Sequence, residues 1–295
     1  MIVIYHITHT TTYDYTQPVS LCHNLAHLVP RLDARQHTFS CDLRIAPEPA
    51  VIESRFDYFN NPVTFFTVQE SHRRLVVRAE HRTEVHSPVL FDMSSSPPWE
   101  DVREQVQYDR NPDPFESYQF VFNSPYVKSS DELLQYALVS FAPRRPLLEA
   151  AFHLTQRIYG EFTYDTRATT LATTLPELLK GRRGVCQDFA HLMIGCLRSL
   201  GLPARYVSGY LLTRPPVGKA RLIGADASHA WVAIWCPHFG WIDFDPTNGK
   251  LTTNEHILLA WGRDYDDVSP IKGVILGGGS HQIRVEVDVI EEGTS

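Results

Sequence analysis

Two hydrophobic periods divide the chain. Over its first 95 or so residues, apolar and polar positions alternate in short runs rich in Val, Ile, Thr, Tyr and Phe, at 2–7, 38–45, 63–68 and 75–80. Period-two alternation puts successive side chains on opposite faces of a strand. Turn chemistry at Pro47-Glu48-Pro49 and Asn60-Asn61-Pro62 separates the runs, so residues 1–95 are expected to form an all-β domain. Ser, Pro and Asn then dominate, and residues 96–125 read as a connecting segment.

After it the period lengthens to that of helices. Ser129-Ser130-Asp131-Glu132 caps a short helical run, and Pro146 opens a longer one with Leu148, Ala151, Phe152, Thr155 and Tyr159 near one face. Thr174 and Glu177 have capping-box spacing, with Pro176 in the first turn and Gly181 at the far end. A helix over about 186–200 stops at Gly201 and Pro203. Strands are expected at 205–212, 229–235 and 241–244, and a last one, with Ile283, Val285, Val287 and Val289 on one face, follows the glycine turn at 277–279. The fold class is therefore α+β, with a mixed core over 126–262 and a C-terminal extension over 263–295.

Composition narrows the function classes. The 295 residues are 43% hydrophobic and 21% charged, with net charge -7 and scattered lysines and arginines, which excludes the basic stripe of a nucleic-acid binder. No stretch approaches the roughly 18 apolar residues of a membrane span, and the first residues lack a secretory n-region, so a cytoplasmic location without membrane contact is expected. The 5 cysteines include no C-x-x-C pair, so reduced thiols are expected rather than a disulfide framework or a zinc site. Among the 14 histidines, His23 and His27 would share a helix face, but they sit in the β-rich part without a third ligand. No metal or other cofactor is expected.

The candidate chemistry begins with Cys186. With Phe189, Met193, Cys196 or Leu197, and Leu200 it forms an apolar helical stripe, so it heads the inward face of its helix. It also lies in the first turn, where unpaired N–H groups and the helix dipole favour an anionic sulfur, and Arg182 and Arg183 lie just upstream. Alone, such a cysteine is more often a small core hydrophobe. The strands change that balance. If the loop 236–240 closes an antiparallel hairpin, Trp235 faces Trp241 and Trp231 faces Asp245, which makes His229 and Asp245 diagonal neighbours on one face. Asp243 shares the face but falls opposite Ala233, farther away. Thiol, imidazole and carboxylate together are what nucleophilic attack on a carbonyl carbon requires.

These residues resemble the transglutaminase-like superfamily, in its bacterial two-domain branch assigned to cysteine proteases. The resemblance rests on Gly184-Val185-Cys186-Gln187-Asp188-Phe189-Ala190-His191, on Ser228-His229-Ala230-Trp231-Val232, and on the run from Trp241 to Thr247 that contains Asp243, Asp245 and Pro246. Tyr5 to Tyr15, Leu28-Val29-Pro30-Arg31 and the tail from Gly262 to Val268 extend it to nearly the whole chain. It implies a papain-like core with Cys186 as nucleophile, His229 as general base and Asp245 as orienting carboxylate. It also implies a peptide or protein amide substrate and an acyl-enzyme resolved by water or an amine. The backbone N–H of Cys186 would be one oxyanion donor; Tyr164 and Gln187 are candidates for the second. Asp188 belongs to the family pattern, and a helix-start carboxylate is its simpler role. Arg263, Asp264 and Tyr265 either border the cleft or return the chain to the β-domain. The competing reading is a non-catalytic binding or scaffold module on the same fold, which loss of a triad residue would have signalled.

Overall fold

The computed structural model describes residues 1–167, 173–213 and 228–293. Strand β1 (Ile2–Ala26) runs 25 residues, well past the seventh. Its buried Tyr5, Ile7, His9 and Thr11 keep the period of two. It is followed by β2 (Gln36–Ala46), β3 (Val51–Phe56), β4 (Pro62–Val68) and β5 (His72–His86), and these strands lie in the order β2-β5-β1-β4-β3. A register shift between Asp14 and Val19 divides β1 into two halves.

The segment 96–125, expected as a connection, carries helices α1 (Trp99–Tyr108) and α2 (Pro112–Tyr118). Trp99, Val102 and Val106 of α1 join the main hydrophobic core, so this stretch packs as part of the domain that follows. Next come α3 (Asp131–Leu138), α4 (Leu147–Glu161), β6 (Thr163–Tyr164), α5 (Leu175–Gly181), β7 (Arg183–Gly184) and α6 (Cys186–Ser199). The capping box forms on α5, and Arg182 ends that helix in the left-handed region at φ 54°.

Helix α6 is more deeply placed than its apolar stripe implies, because every residue from Asp188 to Arg198 is buried. Arg198 is tolerated there because its guanidinium donates to the Phe120, Ala204 and Arg263 carbonyls and to Ser124 Oγ, at 2.6–3.0 Å.

The helix packs on a second sheet, formed by β8 (Ala204–Leu211), β9 (Ser228–Cys236), β10 (Gly240–Asp245), β11 (Lys250–Leu251) and β12 (His256–Gly262) in the order β11-β10-β9-β8-β12. Ala230, Val232 and Ile234 of β9 share the core of α6, whereas Trp231 and Ala233 pack with Val207, Trp241, Leu258 and Trp261 in a separate cluster on the opposite face. In the β9–β10 hairpin Trp235 pairs with Trp241 and Asp243 with Ala233. Cys236 pairs with Gly240 as well, so the turn shortens to three residues, with His238 at φ 66°.

Helix α7 (Tyr265–Val268) then leads into β13 (Ile271–Gly277) and β14 (His281–Glu291). β14 pairs with the first half of β1 and β13 with the second, so the C-terminal extension completes the N-terminal sheet. Arg263, Asp264 and Tyr265 belong to that return: Arg263 pairs with Asp267, Asp264 caps α7, and the Tyr265 N–H donates to His191 Nε2. About a quarter of the chain's described structure is helix and more is strand, in keeping with the α+β class.

Candidate active site

Three local features bring Cys186 forward. Val185 has no side-chain cap to offer, and Asp188 Oδ2 instead accepts the Val185 N–H at 2.8 Å, anchoring the start of α6. Gly184 makes this possible: a Cβ there would lie 2.8 Å from Asp188 Oδ2. The short parallel pair β6–β7 sets Tyr164 beside Gly184. Cys186 thus opens the helix and stays partly exposed.

Cys186 lies near enough to the His229 imidazole for its charge to help raise the imidazole's pKa. His229 Nε2 donates to Asp245 Oδ2 at 2.8 Å, which leaves Nδ1 for the sulfur. Burial opposes the imidazolium, but the hydrogen bond to Asp245 and the negative charges of Asp245 and Cys186 outweigh it and hold His229 up at about 10. Asp245, not Asp243, is the carboxylate at His229. Asp243 pairs with Arg35 at 2.6 Å, and burial pushes its carboxyl above the usual range.

Asp245 has no exposed surface and accepts five hydrogen bonds. Oδ1 takes the N–H groups of Thr247 and Asn248 at 3.0 and 3.2 Å. Oδ2 takes His229, Asn248 Nδ2 at 2.6 Å and His256 Nε2 at 3.1 Å. Burial alone would raise this carboxyl, but its donors, His229 and His256 foremost, take it far below the carboxylate range.

His256 did not emerge from the sequence. Its Nδ1 accepts the Thr253 N–H at 3.1 Å, so Nε2 carries the proton and donates to Asp245. Burial lowers its pKa, which keeps it a neutral donor. Nothing in its neighbourhood along the chain signals this, since it reaches Asp245 from the far edge of the sheet. Asn248 was legible in principle: Asp245-Pro246-Thr247-Asn248 is the sequence of an Asx-type turn. Trp231 walls the group, 6.1 Å from the His229 ring and edge-on to His256 at 5.4 Å.

Among the other candidates, Tyr164 is half-exposed, and burial together with the neighbouring Cys186 and Asp188 raises its pKa, so its hydroxyl keeps its proton. Asp188 serves the helix start. Gln187 lies in the same first turn, partly exposed. The ligand atoms of His229, Asp245 and His256 lie within 4.8 Å of one another, a set able to hold a metal ion, but both Nε2 atoms lie at hydrogen-bond distance from one carboxylate oxygen, as N–H donors do. His23 and His27 share no site: His23 bonds Thr67 Oγ1, and His27 bonds the Ser269 carbonyl and Asp57. No helix among the described residues is long and apolar enough to cross a membrane.

Comparison with known proteins bears on the family and the fold. Residues 5–84 match the bacterial transglutaminase-like N-terminal region, and residues 138–246 match the transglutaminase-like superfamily. An uncharacterized protein of Mycobacterium tuberculosis is 40% identical over 97% of this chain and 92% of its own length. A protein-glutamine gamma-glutamyltransferase of Pseudomonas aeruginosa is 41% identical, but over only 24% of this chain and 11% of its own. A Cytophaga hutchinsonii structure, provisionally assigned as a cysteine protease, superposes with a TM-score of 0.79 at 21% identity, covering 100% of this chain and 92% of that one, and so shares the fold.

Proposed function

This chain belongs to the transglutaminase-like superfamily, and on that premise we propose that it is a cysteine-dependent acyl-transfer enzyme acting on peptide or protein amides. The observation that carries the reading is the partly exposed Cys186 at the start of α6 beside the buried His229–Asp245 pair, whose imidazole pKa the Cys186 charge helps to raise. In it the Cys186 thiolate attacks the amide carbon, His229 protonates the departing amine, and Asp245 keeps Nε2–H of the imidazole directed at itself so that Nδ1 faces the sulfur. The resulting thioester is released when His229 takes a proton from water or from an acceptor amine. The N–H of Cys186, with the Tyr164 hydroxyl as a second donor, would stabilise the oxyanion. Asp188 holds the helix start and takes no part in proton transfer. A cytoplasmic location, where the five thiols stay reduced, fits this chemistry.

Alkylation by iodoacetamide near neutral pH tests the activated thiol. Cys186 is expected to react faster than a free model thiol and faster than in the His229→Ala variant; equal rates would remove the reading. Mass spectrometry of a Cys186-dependent acyl adduct then identifies the donor, and the release rate with and without added primary amine separates amine transfer from hydrolysis.

A further inference from the structure

A cavity of about 1380 Å³ lies between the 31–35 and 58–60 loops of the N-terminal region and the face of the second sheet that carries the tryptophan cluster. Arg31, Arg35 and Phe59 line it from one side, Arg205, Trp241 and Trp261 from the other. Neither Cys186, His229 nor Asp245 borders it.

Arg205 is the unusual wall residue. It is only 8% exposed, its Nε is sealed from solvent without a hydrogen-bond partner, and no described carboxylate pairs with it. The nearby Asp243 is paired with Arg35 instead. What holds the Arg205 guanidinium is aromatic: it stacks at 3.6 Å on Trp261 and 4.2 Å on Trp241, while Arg31 stacks at 3.4 Å on Trp261. Burial draws Arg205 down to about 9, with Asp243 partly offsetting it and Arg31 adding to it. A flat guanidinium held in place with unused donors matches the two oxygens of a carboxylate. Asp33, Asp113, Glu116 and Asp243 line the same cavity and disfavour a dianion such as a phosphate group. The volume exceeds the roughly 300–1,000 Å³ of a small-molecule site, and the rim exposes Tyr58, Val89 and Leu90 at 83%, 86% and 96%.

We propose that this interdomain cavity binds an extended peptide segment through one carboxylate, which pairs with Arg205, while apolar side chains of the segment lie against the aromatic wall and rim. The site is separate from the thiol and does not depend on its chemistry.

Calorimetric titration of the full chain tests this with end-blocked acetyl-Phe-Ala-Glu-Ala-Phe amide, its Gln counterpart, and acetyl-Phe-Ala-Ala-Ala-Phe with a free C-terminal carboxylate. At least one acidic peptide is expected to bind roughly tenfold to a hundredfold more tightly than the Gln peptide, the range of a charge-assisted hydrogen bond; which one does so tells a side-chain from a terminal carboxylate. If neither does, the proposal fails. A single aromatic acid, 3-phenylpropionate, is expected to bind at least about tenfold more weakly than the acidic peptide, because a cavity of this size leaves most of it solvated; equal binding overturns the peptide assignment. Arg205→Met is expected to abolish the preference for acid without lowering the melting temperature, since it removes an uncompensated buried charge. A variant that keeps the preference refutes the role of Arg205. Should that variant fail to fold, Arg205→Lys, which retains charge but not the planar fork, is expected to weaken the preference, and an undiminished preference refutes the same role. Cys186→Ala is expected to bind the peptide unchanged; loss of binding would place the peptide at the thiol instead.

Discussion

Replacing Asp245 by asparagine changes one atom and tests the core of the site. The carboxylate, itself without access to water, accepts two backbone donors on Oδ1 and three side-chain donors on Oδ2. A carboxamide has one oxygen. If its NH2 takes the Oδ2 position, His229, His256 and Asn248 all point donors at a donor; if it takes the Oδ1 position, the N–H groups of Thr247 and Asn248 do. At least two donors lose their acceptor, at about 1 kcal/mol for each partly buried one and up to about 3 kcal/mol for each buried one, so the loss of stability is roughly 2–6 kcal/mol. His256 cannot relieve the conflict by changing tautomer without giving up the Thr253 N–H at its Nδ1. His229 can, but only by moving its proton to Nδ1, where it can no longer accept the thiol proton. Thermal unfolding followed by circular dichroism should show Asp245→Asn melting on the order of 5–20 °C below the native protein. Iodoacetamide should then label Cys186 no faster than in His229→Ala. A variant that melts within about a degree of the native protein and keeps its alkylation rate would refute the donor count and the orienting role together.

Other outcomes follow from the same structure. His256→Phe removes the Nε2–H donor to Asp245 and the acceptor for Thr253, so about 1–3 kcal/mol of stability should be lost in urea titration, with alkylation of Cys186 falling between native and His229→Ala; a native rate would remove His256 from the site. Burial holds His9 and His81 down at about 4 and His191 at about 3. The unfolded chain binds protons below about 6.5 that the folded chain refuses. Stability should therefore fall as pH drops from about 6.5 towards 4, by up to roughly 3 kcal/mol for each of His9 and His81; a urea midpoint unchanged between pH 7 and pH 4.5 would contradict this. At Gly209 a Cβ would lie 2.1 Å from the Ile257 carbonyl oxygen and 2.5 Å from the Trp231 ring, so Gly209→Ala should fail to accumulate as folded protein. Gly240→Ala, whose Cβ meets nothing within 4 Å, should cost only the left-handed backbone strain, about 1–3 kcal/mol.

What the sequence determined by itself is what backbone periodicity controls over short distances. The start of α6 at Cys186, its stop near Gly201 and Pro203, the capping box of α5 and the Trp235–Trp241 register of the hairpin each depend on residues close together in the chain. A period-two strand joined by a tight turn can bring His229 and Asp245 together in few ways, so their adjacency was legible from residue numbers alone.

Only the tertiary structure decided which polar groups meet across elements. His256 reaches Asp245 although β12 lies beyond β8 rather than next to β10 in the sheet, a meeting that no spacing along the chain encodes. The return of β13 and β14 to β1, the docking of Tyr164 beside Gly184 through β6 and β7, and the stacking of Arg205 on two tryptophans are equally long-range. The Ser, Pro and Asn content of 96–125 describes loops locally, whereas Trp99, Val102 and Val106 are held in α1 by the core they fill. Hydrophobic alternation specifies which face of an element is buried, but a buried polar group must find its partner wherever the assembled surfaces place one, and that depends on contacts far apart in the chain.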